Sequence, residues 1–253
     1  MFIKKYLSEK TLRKVPEITL YFWIVKFLST ALGESTSDFL VRHINPFIAV
    51  FLGAIGFAIA IVLQFLARKY VAWVYWLAIT MVAIFGTMVA DVIHIVLGVP
   101  YYASALFFTF VLVIIFIFWY RTEKTLSIHS INTHQREVFY WIAVITTFAL
   151  GTAVGDMTAI TFHLGYLVSG ILFLALFSLP FIARWKLKLN EVTAFWLAYI
   201  VTRPLGASFA DWFGRTPNLG GIGLGTGRTS LVLAGLIIGF VVFFTITQKD
   251  VKA

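Results

Sequence analysis

Eight long apolar segments follow one another along this 253-residue chain, and they limit its fold more than any other feature. Each has roughly the 20 residues that a helix needs to cross the hydrocarbon core of a bilayer. Backbone polar groups must be satisfied within a segment at that depth, and the alternation typical of a β-barrel is absent. The sequence therefore predicts an all-α integral membrane protein with eight transmembrane helices, near residues 17–40, 46–66, 71–96, 101–120, 138–160, 164–183, 192–213 and 229–247.

The composition agrees with a membrane protein and excludes several classes of function. Hydrophobic residues make up 60% of the chain and charged residues only 12%, so a soluble domain of this size would expose too much apolar surface. The chain contains no cysteine, which excludes disulfides and thiolate metal sites. Its net charge of +9 is spread over short loops, a pattern that indicates membrane orientation and not nucleic-acid binding.

Lysine and arginine are distributed unequally between the two sides of the predicted membrane. Three lie on one side, Arg42, Arg215 and Arg228, and fifteen lie on the other. Because loops rich in Lys and Arg stay inside, both termini and the loop near 121–137 are expected in the cytoplasm. We therefore expect a multi-pass membrane protein with both termini on the cytoplasmic side. The fifteen are Lys4, Lys5, Lys10, Arg13, Lys14, Arg68, Lys69, Arg121, Lys124, Arg136, Arg184, Lys186, Lys188, Lys249 and Lys252.

Four of the five aspartates share one spacing with a tryptophan and a glycine. In each case Gly follows Trp by ten residues and Asp follows Gly by five, which indicates an internal repeat of one motif helix and one second helix. Two spans return the chain to its starting side, so the units are parallel repeats around an axis along the membrane normal. We expect one domain over 1–253 with repeats near 15–67, 68–121, 133–184 and 189–247. The motifs are Trp23-Gly33-Asp38, Trp76-Gly86-Asp91, Trp141-Gly151-Asp156 and Trp196-Gly206-Asp211.

These motifs resemble those of a family of uncharacterised bacterial membrane-anchored proteins. That family is built from four tandem two-helix repeats, each with a characteristic tryptophan. The four Trp residues with their Gly and Asp partners carry the resemblance, and the glycine-rich run Leu219 to Gly227 is also similar. The resemblance covers about residues 15–247. It implies the eight-helix topology in a bacterial cytoplasmic (inner) membrane and no particular activity.

The motif has a direct physical interpretation. Each Trp is expected near the cytoplasmic start of its helix, as an interfacial anchor, and each Gly allows close helix packing. Four such helices around one axis would gather the four Asp, together with the residues four positions earlier, which share their helix face. The alternative is that each Asp simply caps the next helix or meets loop amides. The predicted ion-binding residues are Asp38, Asp91, Asp156, Asp211, Glu34, Thr87 and Thr152.

Two basic residues, Lys26 and Arg203, lie inside apolar segments, in the first and last repeats. A charge at that depth needs a partner, so we expect both to join one network with Glu34 and the aspartates. Arg203 is expected to pair with Asp211 across a kink at Pro204.

Histidine and methionine near the aspartates leave a metal site open. Asp91, His94, Asp156, Met88 and Met157 are the candidate ligands, because Asp, His and thioether groups suit divalent ions. The competing interpretation places His43 and His163 in outer loops and treats the methionines as packing residues.

The favoured function is transport of a small cation, a divalent metal such as manganese or magnesium, coupled to protons through the carboxylate cluster. No bound cofactor is expected apart from that cation. The expected partners are the lipid bilayer and the small ion, not nucleic acid, and a homo-oligomer is left open. One alternative is an intramembrane metal-dependent hydrolase that uses Asp91, His94, Asp156 and His163. The other is a structural membrane protein without transport.

Overall fold

The computed structural model describes residues 13–251, and this part of the chain is all-helical, with eight long helices and no β-strand. Each helix covers one of the predicted apolar segments, which confirms the all-α prediction. Lys4, Lys5, Lys10 and Lys252, which were counted above for orientation, lie outside the described residues. The helices are α1 (Leu20–His43), α2 (Pro46–Leu66), α3 (Ala72–Asp91), α4 (Tyr101–Glu123), α5 (His134–Asp156), α6 (Gly165–Leu187), α7 (Glu191–Gly214) and α8 (Thr226–Thr247).

Six of these helices are long and apolar enough to cross a membrane, all except α1 and α7. The two exceptions are the motif helices of the first and last repeats. They carry the buried basic residues Lys26 and Arg203 along their length, in addition to the acidic groups. Several apolar helices of this kind indicate a multi-pass membrane protein.

Two of the motif helices change their winding directly after the motif aspartate. α3 continues from Asp91 into a π-helical turn over Val92–Val96, and α5 continues from Asp156 into one over Met157–Thr161. α1 and α7 instead remain α-helical to His43 and Gly214. Single π-turns of this type are frequent at functional sites.

The motif aspartates do not cap the helices that follow them. The residues at those N-cap positions are Asn45, Pro100, Leu164 and Gly225. Asn45 accepts a hydrogen bond from the backbone N–H of Phe47, and the other three make no side-chain cap. The capping alternative is therefore wrong.

The four motif helices form a closed ring. α1 packs against α3, α3 against α5, α5 against α7, and α7 against α1. Each second helix packs mainly against the motif helix of the following repeat, with α2 on α3, α4 on α5, α6 on α7 and α8 on α1. Because α8 closes onto α1, the last repeat completes the packing of the first, and the second helices expose most of their apolar side chains.

The motif tryptophans are buried between the helices, so the expectation of an interfacial anchor is wrong. Trp76 is 1% exposed and even the most accessible, Trp23, is only 9% exposed. Each indole contacts the aromatic residue that immediately precedes the Trp of the previous repeat, and this layer defines one end of the ring, the Trp end. The contacting pairs are Phe22–Trp76, Tyr75–Trp141, Tyr140–Trp196 and Phe195–Trp23, with ring centroids 5.7 to 6.3 Å apart.

The motif glycines lie where neighbouring motif helices approach most closely. Each faces the residue seven positions after the Trp of the next repeat. A Cβ added at Gly33, Gly151 or Gly206 would overlap that neighbour, whereas at Gly86 it would make an ordinary contact of 3.5 Å. Since the same level of one helix meets the same level of the next, the four motif helices are parallel. The facing residues are Ala83, Phe148, Arg203 and Thr30, for Gly33, Gly86, Gly151 and Gly206.

Candidate functional site

The four motif aspartates lie together at the end of the ring opposite the tryptophans, which we call the Asp end. Their charges are close enough to interact with one another and with Glu34. Asp211 and Glu34 are buried, and the other three aspartates are partly exposed. These five carboxylates are the acidic cluster, and Tyr101 at the start of α4 lies beside it.

Arg215 neutralises one half of the acidic cluster. Its Nη2 lies 2.9 Å from Asp38 Oδ2, and its Nε donates to Asp211 Oδ1 at 2.7 Å. Arg42, at the exposed rim, adds a longer contact of 3.4 Å to Asp38. The sequence analysis places Arg215 only among the loop cations. Its position four residues after Asp211, like that of Arg42 after Asp38, is a signal that could have found it.

Asp91 and Asp156 form the other half of the cluster and have no such partner. Within residues 13–251, neither makes an ion pair or a side-chain hydrogen bond. The positions four residues after them are Ile95 and Ile160, where the other two repeats have arginine. We call Asp91 and Asp156 the unpaired carboxylates.

Arg203 lies one layer further into the ring and contacts the three other repeats. Its Nη2 donates to Glu34 Oε2 at 2.7 Å, to Thr152 Oγ1 at 3.0 Å and to Thr87 Oγ1. The three acceptors stand four residues before their motif Asp, on the face that the sequence predicts. The expected pairing of Arg203 with Asp211 is wrong, because the side chain crosses the ring opposite Gly151 instead of following its own helix.

Lys26 does not join this network directly. Its ammonium group lies 4.1 Å from the ring centroids of both Phe148 and Tyr199, and it has no hydrogen-bond partner among the described residues. Lys26 is thus held by cation–π contacts, not by the predicted carboxylates. The reason is its level: it stands three residues after Trp23, and Glu34 is eight residues further along the helix.

The histidines and methionines are only partly near the acidic cluster. His94 Nδ1 lies 3.0 Å from the carbonyl oxygen of Val99, and the His94 ring packs against Tyr101. Met88 is fully buried, and its sulfur faces Gly53 of α2. His163 is exposed, in the turn before α6. Among residues 13–251, no group of three or more His, Asp or Glu side chains is arranged to hold a metal ion.

Comparison with known families identifies the repeats. The sequence matches the family described as Repeat of Unknown Function (DUF347) over residues 21–70, 74–125, 139–189 and 194–250. The chain belongs to this family. The match confirms the resemblance to a tandem-repeat family, and comparisons with curated proteins and with solved structures gave no match.

The four DUF347 repeats supply the site from equivalent positions but with different chemistry. The first and fourth repeats provide the buried cations Lys26 and Arg203 and the clamped carboxylates Asp38 and Asp211. The second and third repeats each provide a threonine hydroxyl, an unpaired carboxylate and a π-helical turn directly after that carboxylate. Asp91 and Asp156 are therefore the two motif aspartates without an ion-pair partner among residues 13–251.

Proposed function

We propose that this protein is a membrane transporter for a small cation, with the unpaired carboxylates Asp91 and Asp156 as its binding groups. The observation that carries this proposal is that these two carboxylates, at equivalent positions of neighbouring motif helices, make no ion pair within residues 13–251. The five carboxylates also outnumber the guanidinium groups of Arg203, Arg215 and Arg42. Such an excess of negative charge is tolerated among apolar helices only when a cation or protons neutralise it.

We further propose that all eight helices span a bacterial cytoplasmic membrane as four repeats around an approximate four-fold axis. α1 and α7 are too polar to be recognised as spans alone, but most of their polar groups face the ring and not the lipid. The basic loops lie at the Trp end. By the positive-inside rule, that end and both termini are cytoplasmic, and the acidic cluster opens to the outside.

The chemistry of the cluster favours a hard divalent ion such as manganese or magnesium. Its groups are carboxylates and hydroxyls, with no thiolate in the chain. Magnesium in particular keeps several of its waters and is commonly held by only one or two carboxylates, which is what Asp91 and Asp156 offer. Release of protons from the cluster as the cation binds would couple transport to the pH gradient.

The test is cation flux in proteoliposomes with an imposed pH gradient, measured for Mn²⁺, Mg²⁺, Ca²⁺ and Zn²⁺. Asp91→Asn and Asp156→Asn should reduce flux to background, because asparagine keeps the shape of the side chain and removes its charge. Glu191→Gln, at the exposed Trp end, is the matched control and should transport normally. If both Asn variants fold and transport at the wild-type rate, the cluster is structural and the proposal fails.

The orientation can be tested separately, because the chain has no native cysteine. Single cysteines are introduced at Leu219, in the exposed loop of the Asp end, and at Lys124, at the Trp end. A membrane-impermeant maleimide should label only Leu219→Cys in intact cells, and both variants after permeabilisation. Labelling of Lys124→Cys in intact cells would show that the Trp end faces the outside and would contradict the proposed orientation.

A further inference from the structure

One nitrogen of Arg203 is surrounded as a small cation would be. Nη2 is within hydrogen-bond distance of a carboxylate oxygen and two hydroxyl oxygens, from Glu34, Thr87 and Thr152. These oxygens come from three different helices. All four side chains are at least nine-tenths buried, with Arg203 itself 1% exposed.

The other two nitrogens of the same guanidinium group, Nε and Nη1, are buried and make no hydrogen bonds among the described residues. Arginine offers five N–H donors in a planar fork, and a buried polar group normally has a partner. An arginine kept only for structure would distribute its contacts over the fork. Here all three contacts are made by a single nitrogen, Nη2, so the three oxygens surround one positively charged atom as they would surround a small cation.

We propose that Glu34, Thr87 and Thr152 form an inner cation site that Arg203 occupies as a tethered competitor. This inference rests on the proposed function and places a second station on the path of the same ion. The site lies four residues before the unpaired carboxylates along α3 and α5, or ~6 Å at 1.5 Å per residue. A cation that moves inward from Asp91 and Asp156 would take the place of Nη2, and Arg203 would return when the cation leaves.

The surroundings of Arg203 allow such a displacement. Pro204 follows it directly and has no N–H to complete the helical hydrogen bonding, which weakens α7 at this turn. The opposing residue is Gly151, which leaves room for the first atoms of the arginine side chain. The Phe148 ring, 5.7 Å from the guanidinium carbon, offers an apolar face against which a displaced cation can pack.

The experiment measures Mn²⁺ binding to purified full-length protein in detergent, by calorimetry and by melting temperature. Arg203→Gln removes the tethered cation, so Mn²⁺ should bind at one additional site and raise the melting temperature. In Arg203→Gln with Glu34→Gln the additional binding should be at least about tenfold weaker, because Glu34 would be a direct ligand and loss of even an outer partner of a ligand costs about 10–100-fold in metal affinity. The double variant leaves neither Arg203 nor Glu34 as a buried charge without its partner, and it shows whether the fold survives without the pair.

Each other outcome overturns the inference. Arg203→Gln that folds and binds no more Mn²⁺ than wild type shows that the three oxygens are not a cation site. So does additional binding that persists unchanged in the double variant. Arg203→Gln that cannot be rescued by Mn²⁺, while the double variant folds, shows that Arg203 is only the structural partner of Glu34. Loss of wild-type Mn²⁺ binding in Asp91→Asn tests the proposed function independently of all three.

Discussion

The first and fourth repeats differ from the second and third although all four place the same motif at the same levels of the ring. α1 and α7 carry the buried cations, and their motif aspartates are bound by Arg215. α3 and α5 carry threonines where α1 has Glu34, and their aspartates have no partner in the described chain. The repeated framework therefore positions four equivalent carboxylates, and the differences between repeats decide which of them are already neutralised.

This division also explains the hydropathy of the motif helices. α1 and α7 are too polar to be recognised as membrane spans, whereas α3 and α5 are apolar enough. Fixed charges are concentrated in two adjacent helices, where they can neutralise each other, and the remaining two can leave a carboxylate free. A ring of four identical repeats could not do both.

The largest expected effect comes from removing the buried anion of the charged half. Glu34→Gln leaves Arg203 without a counter-charge, and breaking one partner of a buried pair costs about 3–5 kcal/mol. The matched change in the other half, Thr87→Val, removes one hydrogen bond to a charged group, worth about 1.5–3 kcal/mol. Thermal unfolding in detergent should therefore rank Glu34→Gln well below Thr87→Val.

Equal melting temperatures for these two variants would contradict this ranking, because the two halves of the ring would then contribute equally to stability. The double variant of Glu34→Gln with Arg203→Gln sharpens it. Since that variant removes both charges, it should recover much of the stability that Glu34→Gln loses. A melting temperature no higher than that of the single variant would mean that the two residues are not energetically coupled.

Arg215 gives the next largest effect. Arg215→Gln should make the charged half resemble the other, because Asp38 and Asp211 both lose their partner. We expect a loss of about 1–3 kcal/mol, since the lost hydrogen bonds involve charged groups but the arginine is partly exposed. Added Mn²⁺ should then raise the melting temperature of the variant more than that of wild type. Glu191→Gln serves as the control, and an identical Mn²⁺ effect in variant and wild type would contradict the role of Arg215.

Much of the framework was predictable from sequence because its signals are local. Apolar length predicts helices, and the Trp-Gly-Asp spacing predicts repeats whose aspartates share one end. The burial of Trp76 was missed, although an aromatic residue precedes every motif Trp and could have indicated an internal layer. Proximity along the chain suggested Asp211 as the partner of Arg203, but the contacts of a long side chain depend on how neighbouring helices are rotated and staggered.

The same limit applies to the order of packing. The Trp-Gly-Asp spacing does not predict that each second helix packs against the motif helix of the following repeat, because that packing depends on how the ring closes. Likewise, the π-helical turns after Asp91 and Asp156 follow no residue pattern that we can name. The sequence predicts which residues belong to the acidic cluster, and the three-dimensional contacts are needed to show which of them are unpaired.

A charge transplanted between the halves should have a smaller effect, on flux. Ile95→Arg places an arginine four residues after Asp91, as Arg215 stands after Asp211. The new guanidinium would compete with the cation, and we expect flux to fall about tenfold, equivalent to about 1.4 kcal/mol. Ile95 is exposed one residue before the end of the span, where a long basic side chain can reach the membrane interface, so folding should be largely unaffected. Ile95→Gln is the neutral control. Unchanged flux in the arginine variant would indicate that the π-helical turn directs this position away from the site.

The smallest effect is expected at the fifth aspartate, which lies outside the motif and outside the helices. Asp250 follows α8 at the Trp end, where the Tyr70 hydroxyl donates to its Oδ2 and burial raises the pKa of its carboxyl group. A carboxyl whose pKa is raised on folding stabilises the protein below its unfolded pKa, and this stabilisation is lost as the pH rises through the folded value. Stability should thus decline by less than about 1 kcal/mol as the pH rises above about 4, the usual pKa of aspartate. Asp250→Asn should flatten this part of the pH profile of the melting temperature and leave cation flux unchanged. If it abolished flux instead, the contrast between motif and non-motif aspartates would fail, and the Trp end would have to be included in the transport path.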